Sequence, residues 1–447
     1  MTKPSAGASQ PTQARSLRLA LAALLAAAVL IGGGGVAYGL FNLAVQLLAL
    51  AILASHREQF FTFWRDAPLV LRALAAATIA VPLAALIPLP PELWTQMPGR
   101  ELAAEAFDAA GGAGWHPLSL DPGRTLVALL GLIVPLTTLA LGWNLPRRDL
   151  VWLGWLTVAL GFANFLLGVP QVLSGGEWGL IYPENPMPGV LFGSFANRNS
   201  TGIFLVASLI LLMLLPPLRP LPGLAWLRMG GAAVLATAVV LTGSRSAIAL
   251  AAAALLVGMF GWLQSRRQGA IRPQTLILGA VSVAAMGMAS VAALPGSRAE
   301  VALDRFALTG DARAYIWEDA GFSARRYWPV GAGMGTFDEV FQADESLENL
   351  TERRAGRAHN DYLEAAVEAG LPGLLVVAGW LALIARRSIA ACGTPDRKGA
   401  WAGSAVLLAL ALQSLVDYPL RNQALLALAA LALVLLMRFG TSGERGQ

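Results

Sequence analysis

The chain is poor in charge, cysteine and histidine. Charged residues make up 13% of its 447 residues, whereas a soluble globular domain carries about 25%. Its one cysteine, Cys392, excludes an internal disulfide framework. The three histidines are not at metal-ligand spacing, and the longer loops lack an Asp-x-Asp pair. The composition therefore argues against a soluble enzyme, a disulfide scaffold and a metal site.

Hydrophobic residues, in contrast, make up 56% of the chain, and its mean hydropathy is +0.61. They form runs of roughly the length that crosses a bilayer as a helix. The runs fall at 17–34, 36–54, 67–87, 125–143, 150–169, 199–217, 223–243, 246–264, 275–294, 371–385, 400–416 and 423–438. We therefore expect an all-α polytopic membrane protein with about twelve transmembrane helices. The glycine run 32–35 is either a turn or a flexible helix interior.

Arginine-bearing short loops all fall on one side of this arrangement, as the positive-inside rule requires of the cytoplasmic face. Both termini are therefore predicted to be cytoplasmic, and the net charge of +5 does not indicate nucleic-acid binding. Residues 1–294 hold nine predicted spans, with shorter outer loops at 88–124 and 170–198. Residues 295–371 form a large outer loop in which we expect helices, and residues 372–447 hold the last three spans.

Two arginines lie at predicted membrane boundaries on the outer side. Arg245 stands in Thr-Gly-Ser-Arg-Ser between two spans, and an ionisable residue there is by default a functional hypothesis. The alternative is an arginine that extends its side chain to lipid phosphates. Arg198 lies closer to water, where capping of the next helix by Asn197 or Asn199 explains the sequence equally well.

The large loop carries a candidate anion site. Trp317 follows Arg313 by four residues, so the two side chains share a face if the segment is helical. The indole can then hold the guanidinium in one pose, and guanidinium groups match phosphate because they donate two parallel hydrogen bonds. The glycine-rich stretch 331–335 lacks the Gly-Lys-Ser/Thr ending of a phosphate loop, which favours a plain turn.

His359 lies where the chain leaves water and re-enters the membrane. Asn360 or Asp361 can cap a short helix after it, and Gly370 ends that helix. The histidine is a candidate base or phosphate partner near the positive end of a helix. An interfacial histidine that forms only local hydrogen bonds is the alternative.

These polar motifs occur in an order that is similar to that of a known family. They are Asn197-Arg198-Asn199, the segment around Arg245, Arg313 with Trp317, His359-Asn360 followed after nine intervening residues by Gly370-Leu371-Pro372-Gly373, and 414–420. Together they resemble the O-antigen ligase and polymerase superfamily over roughly 190–420.

The resemblance implies a periplasm-facing, GT-C-like glycosyltransferase of the bacterial inner membrane, with an undecaprenyl-diphosphate-linked glycan as donor. The acceptor would be lipid A-core in a ligase, another lipid-linked glycan in a polymerase, or a protein side chain in an O-oligosaccharyltransferase. We expect an inverting, O-antigen ligase-like transfer without metal or cofactor. An O-antigen or exopolysaccharide polymerase is the alternative, and membrane lipids are the other expected partners.

On this resemblance His359 would be the catalytic base, with Asn360 supporting it. Arg245 and Arg313, the latter beside Trp317, would bind the diphosphate, and Arg198 is a weaker candidate. A nearby diphosphate also favours a charged histidine, so the roles of base and phosphate partner both stay open. A transporter or flippase is the rival class, although the chain shows no internal symmetry of the kind such proteins use.

Overall fold

The computed structural model describes residues 9–35, 37–112, 114–182, 187–219, 221–266, 313–350, 354–394 and 397–440. The predicted span 275–294 and the first part of the large loop, 295–312, lie outside the described residues. The two predicted cytoplasmic termini lie largely outside them as well.

The described chain is predominantly helical. Its helices are α1 (Ser9–Ile31), α2 (Gly39–Ser55), α3 (Arg57–Asp66), α4 (Leu69–Ala85), α5 (Pro91–Trp94), α6 (Glu101–Ala109), α7 (Pro122–Gly131), α8 (Ile133–Trp143), α9 (Arg147–Leu173), α10 (Arg198–Leu214), α11 (Leu224–Leu241), α12 (Arg245–Arg266), α13 (Arg313–Arg326), α14 (Phe337–Asp344), α15 (Asp361–Ala391), α16 (Arg397–Gln413) and α17 (Gln423–Phe439). A 3₁₀ turn covers Pro419–Arg421. The strands β1 (Pro88–Leu89) and β2 (His116–Pro117) pair antiparallel as a two-residue ribbon.

Several helices are long and apolar enough to cross a membrane. Within the described residues five qualify by length and composition, and the bent pair α2 and α3 makes up to six. The five are Thr12–Ile31, Pro122–Trp143, Arg147–Leu173, Leu224–Leu241 and Asp361–Ala391. Four shorter apolar helices accompany them. The chain is therefore a multi-pass membrane protein, as its composition predicts.

The predicted spans within the described residues coincide with helices, the span 125–143 with the pair α7 and α8. Two connections differ from a simple series of spans. The glycine run 32–35 is not helical and joins α1 to α2. Helix α3 continues α2 at an angle of 80°. The described part of the large loop contains α13 and α14, which confirms helices in that segment.

Short polar side chains cap several helices that follow the longer loops and turns. Asn197 caps α10, Asn360 caps α15 and Asn422 caps α17, each by accepting a hydrogen bond from a backbone amide of the first turn. Asp121 does the same for α7, where Pro122 fills the first helical position. A side-chain oxygen at this position satisfies an amide that lacks an intrahelical partner.

The apolar core is built around α10 and α17. Both helices are buried along most of their length. Helix α10 packs against α9, α11, α12 and α16, and α17 packs against α1, α8 and α16. A separate, smaller core joins the large loop to the start of α15 through Ala320, Tyr327, Phe337, Phe341 and Val367. The loop helices are therefore fixed to the segment that carries His359.

Candidate active site

His359 lies immediately before α15, in a backbone conformation with φ of 50°. Asn360 caps the helix, since its Oδ1 accepts hydrogen bonds from the amides of Tyr362 and Leu363 at 3.0 and 3.1 Å. The imidazole Nδ1 lies 3.2 Å from Oδ1 of Asp417, whose side chain is 1% exposed, whereas that of His359 is 33% exposed. The histidine is thus held on one side by a buried carboxylate and accessible on the other.

The contact with Asp417 selects a tautomer for His359. A carboxylate accepts a hydrogen bond from Nδ1–H, which leaves the lone pair of a neutral imidazole on Nε2. The same arrangement orients the histidine in hydrolase triads, where the carboxylate also stabilises the imidazolium that forms. The geometry therefore suits a base that takes a proton at Nε2.

Trp317 makes a contact that its spacing from Arg313 does not predict. Its indole Nε1–H donates a hydrogen bond of 2.9 Å to the carbonyl oxygen of Ala358. Helix α13 begins at Arg313, one turn before this contact. The structure therefore brings the start of α13 beside the residue that precedes His359, and Trp317 fixes the backbone there.

Arg198 and Arg245 each begin a helix, α10 and α12. These helix ends adjoin at Gly202, where a Cβ atom would lie 2.5 Å from that of Ala247 and 3.2 Å from that of Ser244. Arg245 is exposed and Arg198 is half-buried. Of the two capping residues considered for α10, Asn197 accepts the hydrogen bond, from the amide of Asn199 at 2.8 Å.

Tyr418 connects the start of α10 to His359. Its hydroxyl oxygen accepts a hydrogen bond of 3.0 Å from Nδ2 of Asn197, and its ring centroid lies 5.1 Å from that of His359. Burial raises the pKa of Tyr418 to about 12, so the hydroxyl keeps its proton at physiological pH. Asn197, the residue before Arg198, and His359 thus lie at opposite ends of one short chain of contacts.

A buried network of arginines and carboxylates lies beneath the His359 loop. Arg421 approaches Glu368 at 2.9 Å, Glu364 at 3.3 Å and Asp361 at 3.4 Å. Arg357 forms a second ion pair with Glu364 at 2.5 Å. Removing one partner of a buried ion pair typically costs about 3–5 kcal/mol. The network therefore ties the loop, the first two turns of α15 and the turn Pro419–Arg421 together.

Both arginines keep their charge. Burial lowers the pKa of Arg421, but the carboxylates of Glu364, Glu368 and Asp361 outweigh burial and raise the pKa above its ordinary value. Burial likewise lowers the pKa of Arg357, and the attraction of Glu364 more than offsets it. Their positive charges are compensated locally, so neither presents a bare charge to a ligand.

A cavity of about 350 Å³ opens beside this network. Its lining includes Arg357, Arg421, Asn197 and Tyr418, together with Tyr38, Tyr182, Arg124, Asp338, Ser200, Asn422 and the glycines 33–35. None of the six residues predicted from the sequence lines it, although Asn197 and Tyr418 adjoin Arg198 and His359. Within the described ranges, no group of three or more His, Cys, Asp or Glu side chains is arranged to hold a metal ion.

The glycine-rich stretch 331–335 is a structural turn. The amides of Ala332 and Gly333 donate hydrogen bonds to the carbonyls of Val367 and Glu368, at 2.9 and 2.8 Å. These amides are therefore occupied by α15 and do not form a phosphate cradle. Helix α15 is interrupted there at Gly370, which has φ of 56°.

The sequence reading missed Asp417 as the partner of His359 and missed the ion-pair network. One signal was present, because Asp361, Glu364 and Glu368 are spaced by three and four residues and so share one face of a helix. Three carboxylates on the apolar start of a span require cationic partners. The partner Arg421 lies 53 residues after Glu368, and only the fold brings it there.

Comparison with known proteins supports the resemblance found in the motifs. Residues 230–378 match a family described as O-Antigen ligase, a range that contains Arg245, Arg313 and His359. The chain is also 31% identical over 210 residues to the exopolysaccharide production protein ExoQ of Rhizobium meliloti (strain 1021), which covers 44% of this chain and 46% of that relative. The match thus spans about half the length of the relative. The resemblance to the O-antigen ligase-like superfamily is confirmed, and it supports a ligase- or polymerase-like function.

Proposed function

We propose that the chain is a glycosyltransferase of this superfamily that moves a glycan from undecaprenyl diphosphate to an acceptor hydroxyl at the periplasmic face of the inner membrane. The observation that carries the proposal is the 3.2 Å contact between His359 and the buried Asp417, in a chain whose motifs offer Arg245 and Arg313 as phosphate partners. A base beside positive charge is what transfer from a lipid diphosphate requires.

In the proposed reaction, Nε2 of His359 takes the proton of the acceptor hydroxyl. The acceptor oxygen forms a bond to the anomeric carbon while the bond from that carbon to the diphosphate oxygen breaks. The lipid diphosphate leaves with the electron pair, and one displacement inverts the configuration. The orientation of Nδ1 toward Asp417 favours the role of base over that of phosphate partner for His359.

We assign the diphosphate to Arg245 and Arg313, with Arg198 as a weaker partner, as the motifs indicate. Guanidinium groups stabilise the charge that develops on a departing diphosphate. Two contacts support this assignment. The first joins α10 to α12, the helices that Arg198 and Arg245 begin, and the second fixes α13 beside the residue that precedes His359. Arg421 and Arg357 are already paired with carboxylates, and we assign them a positioning role.

The acceptor distinguishes two forms of this function. A ligase would use lipid A-core, whereas a polymerase would use a second lipid-linked glycan. The similarity to a protein named for exopolysaccharide production favours the polymerase as the alternative. A protein O-oligosaccharyltransferase, or a transporter or flippase, has less support, because the matched family is described as O-antigen ligase and the relative is named for exopolysaccharide production.

The proposal is tested by deleting the gene and restoring it as wild type, His359→Ala or His56→Ala. Unligated lipid-linked polymer in the deletion strain identifies a ligase, and single lipid-linked repeat units identify a polymerase. We expect His359→Ala to lose transfer by about 10²–10⁴-fold, the usual contribution of a general base.

The control His56→Ala changes a histidine whose ring forms hydrogen bonds with Ser16 and Ile52 on the first two helices, and it should restore transfer. Full transfer by His359→Ala at equal membrane abundance would contradict catalysis and would identify a non-catalytic assembly subunit.

A further inference from the structure

One wall of the cavity is aromatic. Tyr38 and Tyr182 both line the cavity, and their ring centroids lie 4.3 Å apart. Tyr182 is 5% exposed, and its hydroxyl donates a hydrogen bond of 2.7 Å to the carbonyl oxygen of Ile31. This pair, the aromatic wall, is therefore held in place by the end of α1.

The glycine run 32–35 makes room for the aromatic wall. A Cβ atom at Gly34 would lie 2.6 Å from Cδ2 of Tyr38 and 2.7 Å from Cε1 of Tyr182. Gly33 lies against the backbone of Ser194, where a Cβ atom would come within 2.5 Å of the carbonyl oxygen. Its own carbonyl accepts a hydrogen bond from the amide of Ala196. The run thus joins α1 to the segment before α10, and its lack of side chains leaves space for the two rings beside the cavity.

The remaining lining of the cavity is polar. Asn197, Ser200 and Asn422 contribute amide and hydroxyl groups, and Arg124 and Asp338 contribute charges. Asn197 and Asn422 already make hydrogen bonds within the protein, but each amide has capacity for more. The polar lining therefore disfavours a lipid chain, because an apolar chain would leave that capacity without a partner. The carboxylates of Asp338 and of the Arg421 network disfavour a bare anion. A ligand with an apolar face and hydroxyl groups around its edge fits both the aromatic wall and the polar lining.

We infer that the aromatic wall is a sugar-binding subsite. The C–H face of a pyranose ring packs on Tyr38 and Tyr182, and its hydroxyls bond to Asn197 and Asn422. The volume of about 350 Å³ lies at the small end of the range for ligand pockets, about 300–1,000 Å³, which suits a short piece of glycan. The inference rests on the proposed function and specifies which walls of the site select the sugar.

The sugar belongs either to the donor or to the acceptor, and kinetics separates these sources. Transfer is measured with the full chain in proteoliposomes, using lipid-linked glycan and acceptor extracted from the deletion strain, each titrated separately. Undecaprenyl diphosphate without sugar serves as an inhibitor that reports on diphosphate binding alone. The variants are Tyr38→Leu, Tyr38→Phe and the control Phe41→Leu, since Phe41 contacts both tyrosine rings but does not line the cavity.

For Tyr38→Leu we expect KM to rise about five- to tenfold for one glycan-bearing substrate, the size of an aromatic contact. A rise for the donor alone assigns the subsite to the donor sugar, and a rise for the acceptor alone assigns it to the acceptor. Inhibition by undecaprenyl diphosphate should stay within about twofold, and Tyr38→Phe and Phe41→Leu should resemble wild type. If Tyr38→Leu does not accumulate, Gly34→Ala provides the same test, because its Cβ displaces both rings.

Unchanged KM values for both substrates in Tyr38→Leu would overturn the subsite while leaving the proposed function intact. The subsite would also be overturned if Tyr38→Leu weakened inhibition by undecaprenyl diphosphate as much as it raised KM, because the effect would then not depend on the sugar. If wild type transfers no glycan, the proposed function and the subsite fail together.

Discussion

Among single residues, Asp417 has the largest influence on the proposed chemistry of His359. It is buried, and its carboxylate meets Nδ1 of the imidazole. Such an outer partner fixes both the orientation of the ring and the position of its proton. We therefore class Asp417 as a positioning residue, which acts through His359 without contacting the reacting atoms.

Asp417→Asn should lower kcat by about 100-fold or more with little change in KM. An amide can donate to Nδ1, and this favours the tautomer whose Nε2 carries the proton and cannot act as a base. Steady-state transfer in proteoliposomes measures the effect. Asp66→Asn is a matched control because Asp66 pairs with the adjacent Arg65 at the surface, and it should behave as wild type. Unchanged kcat for Asp417→Asn would contradict the positioning role.

The sequence predicted some of these residues and not others, for a physical reason. His359, Asn360 and the end of the short helix at Gly370 are adjacent along the chain, and local rules of helix capping suffice for them. The partners of His359 and Glu368 are Asp417 and Arg421, each more than fifty residues away. A single sequence carries no signal that brings such positions together.

Among the elements, the interruption of α15 at Gly370 joins the membrane part to the large loop. The carbonyl of Pro329 accepts a hydrogen bond from the amide of Leu371 at 2.8 Å, and a Cβ atom at Gly370 would overlap this carbonyl. The glycine turn 331–335 follows directly. The loop is therefore docked on the break in the helix, so that any side chain at 370 would separate the two.

Gly370→Ala should destabilise the protein by at least about 3 kcal/mol, because the left-handed backbone alone costs an alanine about 1–2 kcal/mol and the clash adds to it. Thermal unfolding in detergent measures the loss. The control is Gly321→Ala on α13, where a Cβ atom meets open space and a better helix former should stabilise by roughly 0.5–1 kcal/mol. Equal unfolding temperatures for the two variants would contradict the docking.

The length of the apolar runs predicted the membrane helices well, because a long apolar run has few alternatives to a membrane-spanning helix. The amphipathic helix α3 was not predicted, since its charged ends resemble an ordinary cytoplasmic loop. The two-residue ribbon of β1 and β2 also escaped prediction, because two residues are too few for a strand pattern. The sequence left the glycine run 32–35 as either a turn or a helix interior. The structure has it as a connection between α1 and α2, held by backbone hydrogen bonds to residues far away in the sequence, such as Ala196.

For the whole molecule, the arginine distribution predicts the orientation in the membrane. The one cysteine, Cys392, is exposed between α15 and α16, on the predicted cytoplasmic side. A membrane-impermeant maleimide should therefore label Cys392 in inverted vesicles but not in intact spheroplasts.

A chain with Cys392→Ser and Glu348→Cys provides the matched control, since Glu348 is exposed on the large loop. It should show the opposite pattern of labelling. Labelling of both positions from the same side would refute the proposed topology, and with it a site at the periplasmic face.

The left-handed backbone of His359, with φ of 50°, has an evolutionary consequence. An L-residue in this conformation costs about 1–2 kcal/mol relative to glycine, although histidine tolerates it better than most residues. Glycine at position 359 would remove this cost, but it would also leave the buried carboxylate of Asp417 without its imidazole partner, which costs about 1–3 kcal/mol. The two effects on stability are of similar size and opposite sign, so a library of variants ranked by thermal stability alone would not single out the histidine, and we expect selection for transfer to retain it.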